Sequence, residues 1–203
     1  MKVLIDTDAF CKLAIAGMLE DGVRVLGADL TECGRLQALP HMLRRGSLVK
    51  KFGDEACNAM VRVAERIPPA PPAGGTWLEL LTPIESIDPG EALILAAAAE
   101  HGISLLSGDK RALRAMKNVA GFPSAMNGRI VVLEAVLLAL CERLGPEEVR
   151  RRIQPLTTHD QVVGICFSNA AEDPREGLRS YFEHLSSEVA PLLLWNPPSG
   201  GEI

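Results

Sequence analysis

The sequence predicts an α/β fold: a three-layer α/β/α sandwich built on a central parallel sheet of about five strands, with a helical C-terminal extension. Three observations lead there. Val3-Leu4-Ile5 is an unbroken apolar run, two of its residues β-branched, that ends on Asp6, as a strand buried on both faces does. Further apolar runs at 103–106 and 129–133 are each followed by helical spacing, the alternation that produces a parallel sheet. The 203 residues are 47% hydrophobic and 23% charged, enough apolar side chain to build a sizeable core.

Taken in order, the first strand leads into a helix over 9–19, where Phe10, Leu13, Ala14, Gly17 and Met18 share one face. Residues 23–26 read as a second strand. A helix after Asp29, Leu30 and Thr31 carries Glu32, Leu36 and Leu39 and ends near Pro40. Residues 41–67 are helical again, with a basic patch at Arg44, Arg45, Lys50 and Lys51. The run from Pro68 to Gly75, rich in proline and glycine, reads as a surface loop. A short strand over 81–87, an Ala-rich helix over 89–101 and a strand over 103–106 follow, then a helix over 110–118. The strand at 129–133 and a helix over 134–144 close the α/β unit, residues 1–144. The extension, residues 145–203, holds helices over 146–153 and 178–189 and a loose tail from Trp195 to Gly201, and packs on the domain or on a second subunit.

Composition narrows the class of function. A net charge of −5 gives no global signal for nucleic acid, although a local basic surface suffices for binding. Five cysteines without a C-x-x-C spacing predict neither a disulfide framework nor a zinc site, which suits a reducing cytoplasm. Asp6 and Asp8 interrupt any signal-peptide core, and the longest apolar run, 130–140, is broken by Glu134, so no membrane association is expected. The four histidines lack paired spacing, and an aromatic content of 4% speaks against recognition built on base stacking.

Acids recur at strand-to-helix junctions: Asp6, the Asp88/Glu91 pair and Asp109. In a parallel sheet these junctions share one edge, so acids distant in sequence converge. Clustered carboxylates repel unless a cation neutralises them, and their hard oxygens suit Mg²⁺ or Mn²⁺, which can activate water for in-line displacement at a phosphodiester. A structural reading stands beside this one. Asp88-Pro89-Gly90-Glu91 is a capping box with proline at the first helical position, and Asp109 is an ordinary N-cap.

Val3-Leu4-Ile5-Asp6-Thr7, Asp88-Pro89-Gly90-Glu91-Ala92 with its Ala-rich helix, and Ile103-Ser104-Leu105-Leu106-Ser107-Gly108-Asp109-Lys110 together resemble the PIN domain. The match is to a subgroup with a Gly-Glu-Ala signature, and it covers roughly residues 1–144. The resemblance implies a metal-dependent ribonuclease in which Asp6, Glu91 and Asp109 bind Mg²⁺ or Mn²⁺. Glu32 would be a further acid, with Asp29 the alternative. Ser107 would orient a water or phosphate, and Thr7, Asp8 and Asp88 would support the site. Many PIN domains are toxins, so an antitoxin-like protein partner and a homodimer are further implications. The proline–glycine loop and the extension lie outside the short toxin pattern.

On the helix after Asp109, Lys110, Arg114 and Lys117 share a face and Arg111 flanks it. This stripe is either a track for single-stranded RNA or a solvated face. Two other functions remain open. Asp6-Thr7-Asp8 has the D-x-D form of a haloacid-dehalogenase-like phosphatase, although no glycine follows Asp8. A PIN-like scaffold could also serve as a non-catalytic binding module.

Overall fold

The computed structural model describes residues 1–168 and 170–197. Strand β1 (Val3–Ile5) is buried along its whole length and leads directly into helix α1 (Thr7–Ile15), which is followed by α2 (Leu19–Arg24). A single 3₁₀ turn, Leu30–Glu32, opens β2 (Cys33–Arg35). Four helices come next: α3 (Leu39–Met42), α4 (Ser47–Phe52), α5 (Asp54–Ala64) and α6 (Gly75–Leu81). Helix α7 (Pro89–His101) precedes β3 (Ser104–Ser107), α8 (Lys110–Met116) and α9 (Phe122–Ala125). Strand β4 (Ile130–Val132) runs straight into α10 (Leu133–Leu144), and α11 (Pro146–Ile153), α12 (Gln161–Cys166) and α13 (Pro174–Val189) complete the chain.

The sheet is all-parallel with four strands in the order β2-β1-β3-β4, one strand fewer than expected. The order carries functional weight. The chain steps from β1 to β2 on one side, then crosses back to place β3 on the other side of β1. The direction of winding therefore reverses between β1 and β3, and a crevice opens there at the carboxyl ends of the strands. Asp6 follows β1 and Ser107 ends β3, on the two sides of that crevice.

Two expected strands are instead helix ends followed by turns. Residues 23–26 form the end of α2 and a turn, with Val23 buried and Gly27 at φ 70°. The apolar signal there came from one face of a short helix. At 81–87 the chain ends α6 and turns, with Leu81 and Ile87 buried. The true second strand, Cys-Gly-Arg, has no apolar run to announce it. Its glycine has a packing reason: a Cβ on Gly34 would stand 2.6 Å from Leu4 Cδ2 of the neighbouring strand. The proline–glycine loop is pinned at its start, since Ala70 N donates to Arg35 O at 2.7 Å and Pro69 bridges the outer edge of β2.

The extension is joined to the core. Helix α13 packs on α10, α12 and α8, and one hydrophobic cluster runs from Val3 through Leu137 to Leu178 and Leu192. Enclosed by β4, α2, α11 and α13, α10 buries nine of its twelve residues, which accounts for its nearly unbroken apolar sequence. Trp195 N donates to Ile130 O at 2.7 Å, so the tail begins anchored beside β4; residues 198–201 lie outside the described residues. Among the described residues, no helix is long and apolar enough to cross a membrane.

Candidate active site at the sheet crevice

Asp6 has the extended backbone of an N-cap, φ −66° and ψ 152°, yet its carboxylate makes no cap hydrogen bond to α1. Its own N–H donates to Leu106 O at 2.9 Å, fixing it between the central strands. Only 6% of the residue is exposed, and Oδ2 is buried with no hydrogen-bond partner. A buried carboxylate oxygen without a partner is costly, and the group responds by holding its proton more tightly. Burial first, then the Asp8 charge, with smaller contributions from Asp109 and Asp88, raise its pKa from 3.8 to about 6, while the Thr7 N–H opposes the rise.

Glu91 reaches the same crevice from α7. The capping box read from the sequence is formed: Glu91 N donates to Asp88 Oδ1 at 2.9 Å, and Asp88 N donates to Glu91 Oε2 at 2.9 Å. The box explains the backbone geometry but leaves Glu91 beside Asp109. Burial raises the Glu91 carboxyl to about 7; the Asp88 N–H opposes this, and a hydrogen bond with Asp109 adds to it. Two carboxyls so placed resist carrying a charge each.

Asp109 caps α8, with Oδ1 accepting from Arg111 N at 2.7 Å and Ala112 N at 3.1 Å, while Oδ2 accepts from the Arg111 guanidinium at 2.9 Å. Burial works to raise its pKa, but the Arg111 guanidinium, the two N–H groups and the Glu91 hydrogen bond outweigh it and leave Asp109 below the usual range. Ser107 is buried, and its Oγ accepts from Asp109 N at 3.3 Å, which holds the turn rather than facing an open site.

Asp8, on the first turn of α1, is ion-paired with Lys12 at 2.6 Å and lies 3.9 Å from Lys51. A cavity of about 450 Å³ opens on Asp6, Thr7, Asp8, Asp88 and Glu91, walled by Leu36, Met42, Leu48, Phe52 and Leu93. A second cavity of about 320 Å³ shares Asp8 and is lined by Lys12, Gly108, Asp109, Lys110 and Asp160. The row of acids stands between an apolar recess and a charged one. The Cys11 thiol borders the larger recess, but burial pushes it up to about 12, so it stays protonated and inert at neutral pH.

Glu32 and Asp29 do not belong to this cluster. Glu32 immediately precedes β2, whose Cys33 is in register with Val3, so it lies at the amino edge of the sheet. There it pairs with Lys2 at 3.0 Å and accepts from Asp29 N at 3.1 Å. In a parallel sheet the acid needed near Asp6 must follow the second strand, and the residues of that stretch that border the recess are Leu36, Ala38 and Met42.

The basic stripe on α8 is likewise occupied. Arg114 pairs with Glu188 of α13 at 2.7 Å, and Lys117 Nζ donates to Glu188 O at 2.7 Å. Lys110 pairs with the buried Glu134 at 2.5 Å, and Arg111 with Asp109 at 2.9 Å. These cations hold the C-terminal helix and the acid cluster, so the stripe is not a free phosphate track. Glu134, Lys12 and Asp160 gave no functional signal in the sequence, because each pairs with a residue distant along the chain or hidden in an apolar run.

The donor set at the crevice is hard oxygen, suited to Mg²⁺ or Mn²⁺. Among the described residues, no three acidic, cysteine or histidine side chains converge at metal-ligating geometry. The buried Oδ2 of Asp6 is nonetheless the kind of orphaned atom that a cation satisfies. Comparison of the chain with family models, curated proteins and solved structures gives no match.

Proposed function

We propose that this protein is a divalent-metal-dependent ribonuclease of the PIN type, with a three-layer α/β/α architecture. One observation carries the reading. Asp6 places a buried, unpartnered carboxylate oxygen at the crevice where the winding of the sheet reverses, beside the Glu91–Asp109 pair. No feature of folding alone accounts for it, since the Asp6 carboxylate neither caps α1 nor forms an ion pair. Asp6, Glu91 and Asp109 would hold Mg²⁺ or Mn²⁺, with Asp88 and Asp8 around them. A bound cation would supply Lewis-acid stabilisation of the phosphodiester and activation of water for in-line attack.

The protein's own groups have defined tasks in this reading. Asp6 and Glu91 must lose their protons before the site is competent. Arg111 and the start of α8 hold Asp109 ionised and in place. The apolar wall of the recess, Leu36, Met42, Leu48, Phe52 and Leu93, offers the acids no hydrogen-bond donors, which leaves a cation as their natural partner. With the α8 stripe engaged, the exposed Lys50 and Arg45 around α4 take over as the cations available to an RNA backbone.

A D-x-D phosphatase is the weaker reading, because the Asp8 carboxylate is bound to Lys12 at 2.6 Å and Glu91 would have no task. A labelled single-stranded RNA incubated with Mn²⁺ tests the proposal: the protein cleaves it, EDTA stops cleavage, and Asp6→Asn abolishes it. Equal cleavage by Asp6→Asn protein refutes the assignment. Turnover of p-nitrophenyl phosphate in place of RNA would establish the phosphatase.

A further inference from the structure

We infer that Lys12 is a positioning residue for the acid cluster, held by Asp160, so that the C-terminal extension supplies an indispensable part of the site. The inference rests on reading the crevice acids as the reactive centre.

A lysine four residues after an aspartate on a helix is ordinarily an exposed pair that contributes little. Lys12 differs in its surroundings. Its side chain is 11% exposed, and its Nζ sits between two carboxylates, Asp8 at 2.6 Å and Asp160 at 2.7 Å. A buried ammonium is tolerated only when its partners are placed well, so the two acids must be held. Asp160 is held by its second oxygen, which accepts from Val163 N at 3.0 Å and caps α12. Its side chain is only 13% exposed.

The third wall of this arrangement is Gly108. A Cβ there would lie 2.6 Å from Asp8 Oδ2 and 3.6 Å from Lys12 Nζ, so the missing side chain lets the ion pair rest against the turn that carries Asp109. Asp8, Lys12, Asp109 and Asp160 line the same 320 Å³ cavity together with Lys110, whose partner Glu134 stands on α10. Lys12 thus fastens the start of α1 to the segment before α12, with the turn after β3 packed against the pair. The start of α1 and that turn carry Asp6 and Asp109, two of the three acids assigned to the site, and the segment before α12 lies outside the α/β unit. Asp8 thereby acts as the arm of this clamp.

The test uses the full chain carrying Lys12→Met, Asp160→Asn, both together, or Lys12→Arg. Asp160→Asn removes the charge while keeping a side chain able to cap α12. Amide hydrogen exchange reads the clamp without reference to catalysis: Asp160→Asn accelerates exchange at Phe10, whose N–H donates to Asp6 O, and at Asp109, Arg111 and Ala112, whose N–H groups hold the turn that carries Asp109, and leaves β4 unchanged. In RNA cleavage with Mn²⁺, Lys12→Met and Asp160→Asn each lose about tenfold or more, the double variant is no worse than the poorer single, and Lys12→Arg keeps most of the rate. Unchanged exchange at Phe10, Asp109, Arg111 and Ala112 in Asp160→Asn overturns the inference, as do additive losses in the double variant. If the unaltered protein neither binds Mn²⁺ nor cleaves RNA, the functional reading fails on its own, and the exchange experiment still decides whether the clamp exists.

Discussion

Asp6→Asn should leave the protein at least as stable at neutral pH while abolishing the proposed RNA cleavage. In the folded protein the Asp6 carboxyl is raised from 3.8 to about 6 by burial and by neighbouring acids. Above pH 6 the native state therefore carries an ionised group that the unfolded chain accommodates better. The sign follows from linkage: for an acid with a raised native pKa, the penalty is absent below about pH 4, grows between 4 and 6, and is constant above. The gap between 3.8 and about 6, at 1.36 kcal/mol per pH unit, gives an upper bound of about 3 kcal/mol. The new amide brings donors that can go unsatisfied at a cost of about 1–3 kcal/mol, so the net gain at pH 7.5 is about 0–2 kcal/mol. For a chain of this size that corresponds to a rise in Tm of up to roughly 8 °C. Differential scanning calorimetry at pH 4 and pH 7.5, in EDTA, measures it. The gain should appear at pH 7.5, while at pH 4 the relief is gone and the cost of the amide, about 1–3 kcal/mol, leaves the variant the less stable of the two. A loss of stability at pH 7.5, or an equal change at both values, would show that Asp6 is a structural residue and would remove the basis for treating its orphaned oxygen as a ligand.

Two other consequences are open to measurement. Mn²⁺ affinity by calorimetry should rise with pH between 5.5 and 8, since Asp6 and Glu91, raised to about 6 and about 7, must both release protons to bind a cation; a flat profile contradicts this. Arg114→Ala together with Lys117→Ala should lower Tm slightly through loss of the contacts to Glu188, yet change RNA affinity less than twofold. A large loss of RNA affinity with unchanged Tm would restore the α8 stripe as a binding surface.

Much of the site was legible because its signals are local. A three-residue apolar strand running into Asp6, a capping box at 88–91 and a cap at Asp109 are all written in a few adjacent residues, and each is formed as read. Glu32 was misplaced because the second strand is Cys-Gly-Arg, too short and too polar to show a period. Placing that strand at 23–26 put Glu32 on the following helix, when it lies before the strand and at the opposite edge of the sheet. The α8 stripe was correctly seen as basic, but the chain pattern cannot say that Glu188, 74 residues after Arg114, covers it.

The sequence by itself determined an α/β protein with a parallel sheet and acids at strand ends, because periodicity and capping depend on neighbours a few residues apart. Only the tertiary structure decided which acids meet. The strand order β2-β1-β3-β4 sets Asp6 and Asp109 on the two sides of one crevice, and it leaves Glu32 at the far edge. Burial, too, was decided there. Asp6 is unusual because apolar neighbours and other carboxylates surround it, and Lys12 is unusual because Asp160, at the start of α12, closes over it. Desolvation and long-range charge pairing arise from packing between segments, so they were fixed only when those segments came together.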